Sequence, residues 1–410
     1  MNKKIMELKK VEVWDGNMAA SQAFRQADID VVAAYPITPS TPVVENYATF
    51  HANGYVDGEF VMVESEHAAM SGCVGAAAAG GRVATATSSQ GFALMVEVLY
   101  QASGMRMPMV LAQVNRALAS PLNVNGDHSD LYLGRDSGWI SLCAYSPQEV
   151  YDLSLCAFKI GEHLDVRLPV IVNQDGFMTS HTAQNVATLD DKTACDFVGA
   201  YQAVNSLLDF DKPVTHGVQT EEDWHFEHKA KQHDAMMKSV KVIDEVFAEY
   251  EKLTGRSYDM TFDYQLDDAE VVIVAIGSTV ESAMLAVDDM RKDGIKAGLM
   301  GMRVFRPFPL VEIANKLTNA KVVACMDRSA PGGTVGTLFN EISGALINMP
   351  NRPMVKNLIY GLGGRDMTID ILCDIYKTLD SEAKAGKLSG AVQEFVGVRG
   401  PSLEYYNLNK

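Results

Sequence analysis

The chain has 410 residues, of which 47% are hydrophobic and 21% charged, and a net charge of −17. That length exceeds one ordinary core, so two domains are expected; the acidic balance argues against nucleic acid or an anionic membrane as partner, since both would bind against a repulsive field. No apolar run reaches the roughly 18 residues of a membrane helix, and Met1-Asn2-Lys3-Lys4 lacks the apolar core of a signal peptide, so a cytoplasmic protein is expected.

From Val11 to Val31 the pattern predicts one helix, capped by Asp15 or Asn17. The strand that follows stops in Tyr35-Pro36-Ile37-Thr38-Pro39-Ser40-Thr41-Pro42, a turn whose prolines can join neither helix nor ladder. A rigid, hydroxyl-bearing loop at the carboxyl end of a strand is where open α/β sheets place a ligand, which makes Thr38 a candidate site residue. Taken alone, the turn reads more simply as punctuation, with Ser40 or Thr41 capping the helix Val43 to Phe50.

Phe60 to Val63 is a short strand ending at Glu64-Ser65-Glu66-His67, and from Ala68 to Gly81 nearly every residue is small, as in a helix that another backbone approaches closely. Strand Val83 to Thr87, helix Phe92 to Ser103, strand Met109 to Val114, loop Pro121 to Arg135, helix Pro147 to Gly161 and strand Val170 to Val172 follow. This alternation predicts a doubly wound α/β domain with a largely parallel sheet, which we place at residues 1–208. Residues 209–253 read as a linker with a long charged helix that Gly255 closes. A second alternation over 254–385 begins at the apolar strand after Glu270 and includes Arg303 to Pro309 and the strand Lys321 to Asp327. The tail 386–410 carries Phe395, Tyr405 and Tyr406 without period and reads as an arm laid on a partner.

The six cysteines form no Cys-x-x-Cys pair, so free buried thiols are expected, no metal site is expected, and any electron-carrying cluster belongs to another chain. Pro331-Gly332-Gly333-Thr334-Val335-Gly336 invites a nucleotide-binding reading, but lacks the G-x-G-x-x-G order. Glu66, at the first turn of the small-residue helix, at least favours the helix dipole.

Five motifs in fixed order carry a resemblance: Tyr35-Pro36-Ile37-Thr38-Pro39-Ser40, Ser65-Glu66-His67, Thr87-Ser88-Ser89-Gln90-Gly91, Asn115-Arg116-Ala117 and Asp127-His128-Ser129-Asp130. Together they resemble the α subunit of the multi-subunit 2-oxoacid:ferredoxin oxidoreductases, nearest the pyruvate branch. The match runs from about Val11 to Phe177 and resumes through Thr254 to Tyr258 and Arg303 to Pro309.

The resemblance implies a pyrimidine-side thiamine diphosphate domain followed by a transketolase C-terminal-like domain with an assembly role. It makes Glu66 the carboxylate that activates the aminopyrimidine, and places Tyr35, Pro36, Ile37, Thr38, Ser89 and Gln90 against the cofactor. Arg116 becomes the cation for the substrate carboxylate, which its planar fork suits, with Asn125, Asp127 and His128 beside it. The implied reaction is oxidative decarboxylation of a 2-oxoacid, with electrons passing to [4Fe-4S] clusters on a partner and the acyl group to coenzyme A. The chain has no Gly-Asp-Gly turn followed by paired asparagines. The pyrophosphate and Mg2+ half of the site is therefore expected on a β subunit, alongside a γ subunit and a ferredoxin-like iron–sulfur subunit.

One departure bears on substrate. Pyruvate-acting members carry a bulky aromatic where this chain has Asn125 before Gly126. Pyruvate stays slightly ahead of a bulkier acid such as phenylglyoxylate, with ferredoxin, or NAD through a flavin subunit, as acceptor. A non-catalytic assembly subunit would lack Glu66, Thr38 or Arg116, and all three are present.

Overall fold

The computed structural model describes residues 3–407. In chain order the first part runs β1 (Val11–Trp14), α1 (Gly16–Gln26), β2 (Val31–Ala34), α2 (Thr41–Ala52), β3 (Glu59–Met62), α3 (Glu66–Ala79), β4 (Val83–Thr87) and α4 (Ser89–Gly104). It continues through β5 (Val110–Asn115), α5 (Ser129–Leu133), β6 (Ile140–Ala144), α6 (Pro147–Glu162), β7 (Val170–Asp175), β8 (Gln184–Ala187) and α7 (Asp191–Val198). The long helix α8 (Glu222–Thr254) leads to β9 (Thr261–Tyr264), β10 (Val271–Ala275), α9 (Thr279–Lys292), β11 (Ala297–Met302), β12 (Val304–Arg306), α10 (Leu310–Lys316), β13 (Val322–Asp327) and α11 (Thr337–Leu346). Last come β14 (Met354–Ile359), α12 (Ile369–Ala385), β15 (Gln393–Phe395) and β16 (Glu404–Tyr405).

Two seven-stranded sheets result, ordered β12-β6-β7-β5-β4-β2-β3 and β16-β15-β14-β13-β10-β11-β9. Strands β4, β5 and β7 are buried along their whole length, as parallel strands covered by helices on both faces must be. Because β2, β3, β4 and β5 run parallel, the loops after them open on one edge of the sheet, where such folds bind ligands.

Three expectations need correction. Val11 to Val31 is not one helix: β1 pairs antiparallel with β8 before Asp15 caps α1 by accepting from the Met18 N–H. The alternating Val-Glu-Val-Trp of β1 carries the strand period that the helical reading passed over. The tail, read without strand period as an arm laid on a partner, adds two strands to the second sheet of its own chain, β15 parallel to β14 and β16 antiparallel to β15. Finally, β12, assigned to the second domain, pairs with β6 of the first sheet. Arg303 just before it is buried against Glu149 on α6, at 2.6 Å, and periodicity alone cannot say which sheet an edge strand joins.

Gly255 does close α8 in the left-handed conformation, at φ 75°. The residues after it fasten that end to the first domain: Arg256 donates to Asp152 of α6 at 2.6 Å, and the Tyr258 hydroxyl bonds the same carboxylate. The six cysteines are free, five of them buried and Cys195 half-buried. No helix among the described residues is long and apolar enough to cross a membrane.

Candidate active site

Ser65 starts α3 by accepting from the Ala68 N–H at 3.2 Å, which sets Glu66 on the first turn at the open edge of the sheet. Glu66 is 6% exposed, yet its carboxylate makes no hydrogen bond or ion pair among the described residues. It lies over the start of α4. A Cβ built on Gly91 would fall 2.5 Å from both Glu66 Oε1 and Thr87 Oγ1, so only glycine leaves the carboxylate its place. The Thr87 and Ser88 hydroxyls are buried without a partner, as are both amide atoms of Gln113, the neighbour of Thr87 across the ladder. A buried carboxylate beside the orphan Thr87 hydroxyl is costly unless a ligand completes the hydrogen bonds.

The β2–α2 turn is held from inside. Ser40 N–H and hydroxyl both donate to Ile37 O, at 2.9 and 2.8 Å, and Asn17 donates to Pro39 O at 2.9 Å. Tyr35, Pro36 and Thr38 are exposed on the outer side of this turn and Ile37 is half-buried. Ser40 therefore works inside the turn, and its side chain makes no cap bond to α2.

Arg116 leaves β5 7% exposed. Its guanidinium donates to Thr38 O at 2.9 Å, Asn123 O at 3.2 Å and Gln90 Oε1 at 3.4 Å, all neutral acceptors, and it makes no ion pair among the described residues. Burial lowers its pKa from the usual arginine value, opposed by Asp130. An unpaired buried cation on the same open edge suits an incoming carboxylate.

Asp130, which the sequence shows only as part of a motif, organises these pieces. Its Oδ2 accepts from the backbone N–H of Ser89 at 2.8 Å and of Arg116 at 2.9 Å, and its Oδ1 from Asn115 Nδ2 at 2.9 Å. Burial pushes its carboxyl up to about 6 against the pull of those donors. Ser89, held at φ 48°, also donates its hydroxyl to Ala117 O at 2.6 Å. A left-handed serine at this turn is strain that the Asp130 contact sustains.

The structure brings Glu66, Thr38, Ser89, Gln90 and Arg116 to one edge, but separates the Asp127 and His128 side chains from them. His128 Nε2 lies 2.7 Å from Asp175 Oδ1, and Asp175 Oδ2 accepts from Ser278 N, Ser278 Oγ and Arg328 Nη1 at 2.9, 2.5 and 2.8 Å. That cluster joins the two halves of the chain. Asp127 accepts from Ser129 N and Oγ and from Gly363 N, at 3.0, 2.6 and 3.3 Å. His128, expected beside the substrate, is 1% exposed with its ring against Asp175. Asn125 is exposed and stands against Gly364. Thr87 and Gly91 lay within a recognised motif, whereas nothing in the sequence marked Asn123.

The N-terminal N–H groups of α11, after the glycine-rich turn, meet a carboxylate of the chain itself. Asp327 already accepts from the Leu338 and Phe339 N–H groups at 2.8 and 3.1 Å, and it lies 2.1 Å from where a Cβ on Gly336 would sit. Among the described residues no cluster of His, Cys, Asp and Glu is arranged to hold a metal.

Two parallel-sheet halves, with an unpaired carboxylate and an unpaired cation on one strand edge, define a cofactor-dependent α/β enzyme subunit. Residues 22–248 match the family "Pyruvate flavodoxin/ferredoxin oxidoreductase, thiamine diP-bdg", and residues 269–372 match "Pyruvate:ferredoxin oxidoreductase core domain II". The pyruvate synthase subunit PorA of Thermotoga maritima is 44% identical over 384 residues, covering 94% of this chain and 97% of that one. The ketoisovalerate oxidoreductase subunit VorA of Pyrococcus abyssi is 40% identical, covering 95% and 98%. A solved 2-oxoglutarate:ferredoxin oxidoreductase from Magnetococcus marinus superposes with a TM-score of 0.71 at 21% identity, over 92% of this chain and 66% of that one, and shares the fold. The chain belongs to the 2-oxoacid:ferredoxin oxidoreductase family, as the α subunit of a thiamine-dependent 2-oxoacid oxidoreductase.

Proposed function

We propose that this chain supplies the pyrimidine-side half of a shared thiamine diphosphate site, in a complex that oxidatively decarboxylates pyruvate to its coenzyme A thioester. The observation that carries the reading is Glu66: a buried carboxylate without a protein partner, on an edge where Thr87 and Ser88 also lack one. An aminopyrimidine offers the ring nitrogen such a group needs, so the residues fit the cofactor. When bound, the cofactor supplies the carbon nucleophile and electron sink that decarboxylation of a 2-oxoacid requires.

Glu66 holds the proton exchanged with the aminopyrimidine. Thr38 and the backbone of Pro36 and Ile37 border the reacting carbon, Tyr35, Ser89 and Gln90 complete the cofactor wall, and Arg116 binds the substrate carboxylate. The chain has no Gly-Asp-Gly turn and no paired asparagines after one. A β subunit then grips the pyrophosphate through Mg2+, and a γ subunit and an iron–sulfur subunit with [4Fe-4S] clusters complete the electron path to ferredoxin. The relatives named for pyruvate and for a branched 2-oxoacid both support a small aliphatic substrate. Asn125, pressed against Gly364 at the surface, gives the phenylglyoxylate reading and its flavin-and-NAD branch no added support.

The test is a panel of pyruvate, branched-chain, aryl and dicarboxylic 2-oxoacids on the assembled complex, with coenzyme A and a viologen dye. Coenzyme A-dependent dye reduction greatest with pyruvate is expected. Preference for an aryl acid would replace the substrate, and no reduction with any 2-oxoacid would remove the function.

A further inference from the structure

The loop 117–128, between Arg116 and α5, bulges from the first half of the chain with Leu122, Val124 and Asn125 exposed. Its own contacts are slight: Asn123 Oδ1 accepts from the Asn125 N–H at 2.7 Å, Asn125 O from the Ala117 N–H at 3.1 Å, and the Ser129 hydroxyl receives the Leu118 N–H at 2.9 Å. Yet Asn123 O is one of three acceptors that aim the Arg116 guanidinium. What steadies Asn123 comes from the second half of the chain.

A single residue there is used twice, through its two flanking peptide groups. Gly363 O accepts from Asn123 Nδ2 at 3.0 Å and Gly363 N–H donates to Asp127 Oδ2 at 3.3 Å, so one residue ties both ends of the segment. A third tie is His128 N–H to Arg328 O, at 2.8 Å. The turn is built for close approach. Gly361, Gly363 and Gly364 stand at φ 63°, 59° and 81°, conformations that cost any other residue free energy. A Cβ on Gly363 would fall 2.3 Å from Asn123 Nδ2, and one on Gly364 2.5 Å from Asn125 Cβ. Two independent demands, backbone conformation and contact with the loop, fall on the same glycines.

We propose that the turn Gly361–Gly364 and Asn123 position Arg116, so that the second half of the chain sets the affinity of the first half's pocket for the substrate carboxylate. This rests on the reading of Arg116 given above. The second half thus has a share in substrate recognition beyond assembly. Asn123 is a positioning residue: it acts through the guanidinium that its carbonyl holds.

The test uses the assembled complex with Asn123→Ser, which keeps an acceptor for the Asn125 N–H but cannot reach Gly363 O, and with Gly363→Ala. The KM for pyruvate is compared with kcat, and the binding of oxamate, a non-reacting pyruvate isostere, is measured by calorimetry. Each variant is expected to raise KM and the oxamate Kd about tenfold, equivalent to about 1.4 kcal/mol, with kcat changed by less than about twofold. The double variant should cost no more than the worse single one, because both break one contact. Thiamine diphosphate affinity and subunit assembly should match wild type in Asn123→Ser; should Gly363→Ala fail to assemble, Asn123→Ser decides alone. Arg116→Lys is the control. If it raises KM while Asn123→Ser leaves KM and oxamate binding unchanged, the positioning role is refuted and the pocket stands. If Arg116→Lys also leaves KM unchanged, the reading of Arg116 falls, and this inference with it.

Discussion

Asp175 and Glu66 are both buried carboxylates in the first half of the chain, 1% and 6% exposed, but they meet different surroundings. Asp175 is bonded by His128 of its own half and by Arg328 and Ser278 across the seam, while Glu66 has no protein donor among the described residues. The cations follow the same division: Arg328 pairs with Asp175 at 2.8 Å, and Arg116 is left with neutral acceptors only. Burial alone therefore does not distinguish the site from the scaffold. At the seam, Asp175 and Arg328 neutralise each other across the two halves, whereas Glu66 and Arg116 at the sheet edge have no oppositely charged partner among the described residues.

That contrast predicts opposite phenotypes. Arg328→Ala takes from Asp175 its one arginine partner and leaves it His128 and Ser278; removing one partner of a buried pair destabilises by about 3–5 kcal/mol. Chemical unfolding of the full chain measures it; a loss under about 1 kcal/mol would show the seam pair is dispensable. At the edge, Gly91→Ala puts a methyl 2.5 Å from Glu66 Oε1. Turnover should fall about 100-fold, as small displacements of catalytic groups do, with unfolding of the full chain unchanged. Equal loss of stability would make Gly91 a packing residue instead.

A smaller effect sharpens the comparison through pH. Burial pushes Asp175 up, but His128 and Arg328 overcome it and hold the carboxyl below its usual range. Its contribution is therefore present above the unfolded pKa and is lost as the pH falls through the lower, folded one. Asp130 has the opposite sign: raised to about 6 by burial with no cation bonded to it, it keeps in the native state a proton that the unfolded chain releases near pH 4. Asp130 thus favours folding at pH 4 and loses that advantage as the pH rises to 6. The stability of wild type relative to Asp130→Asn should accordingly fall by about 1–3 kcal/mol between pH 4 and 7. A relative stability that rises over that interval would mean Asp130 carries its charge in the native state at low pH.

Much of this is legible in the sequence. The βα alternation, the closing Gly255 and the strand-end positions of Thr38, Glu66 and Arg116 follow from period and punctuation, because local geometry dictates them. The contacts that cross the chain are not. His128 is placed beside the substrate only through the motif Asp127-His128-Ser129-Asp130, and its ring turns to Asp175, 47 residues away. The bond between Asn123 and Gly363 spans 240 residues, and no periodicity encodes such a pairing. The tail misread for a related reason: β15 and β16 have three and two residues, too short for alternation to show, and only the exposed edge of β14 makes them strands.

The central claim is that Glu66 stays unpaired in this chain because it serves a cofactor whose other half belongs to a partner. The most direct measurement is turnover of the assembled complex carrying Glu66→Gln, with subunit content and bound thiamine diphosphate determined on the same sample. The account predicts normal assembly, retained cofactor and a fall in turnover of about 10²–10⁴-fold, the range lost with a positioned acid–base group. Wild-type turnover in that sample would contradict it.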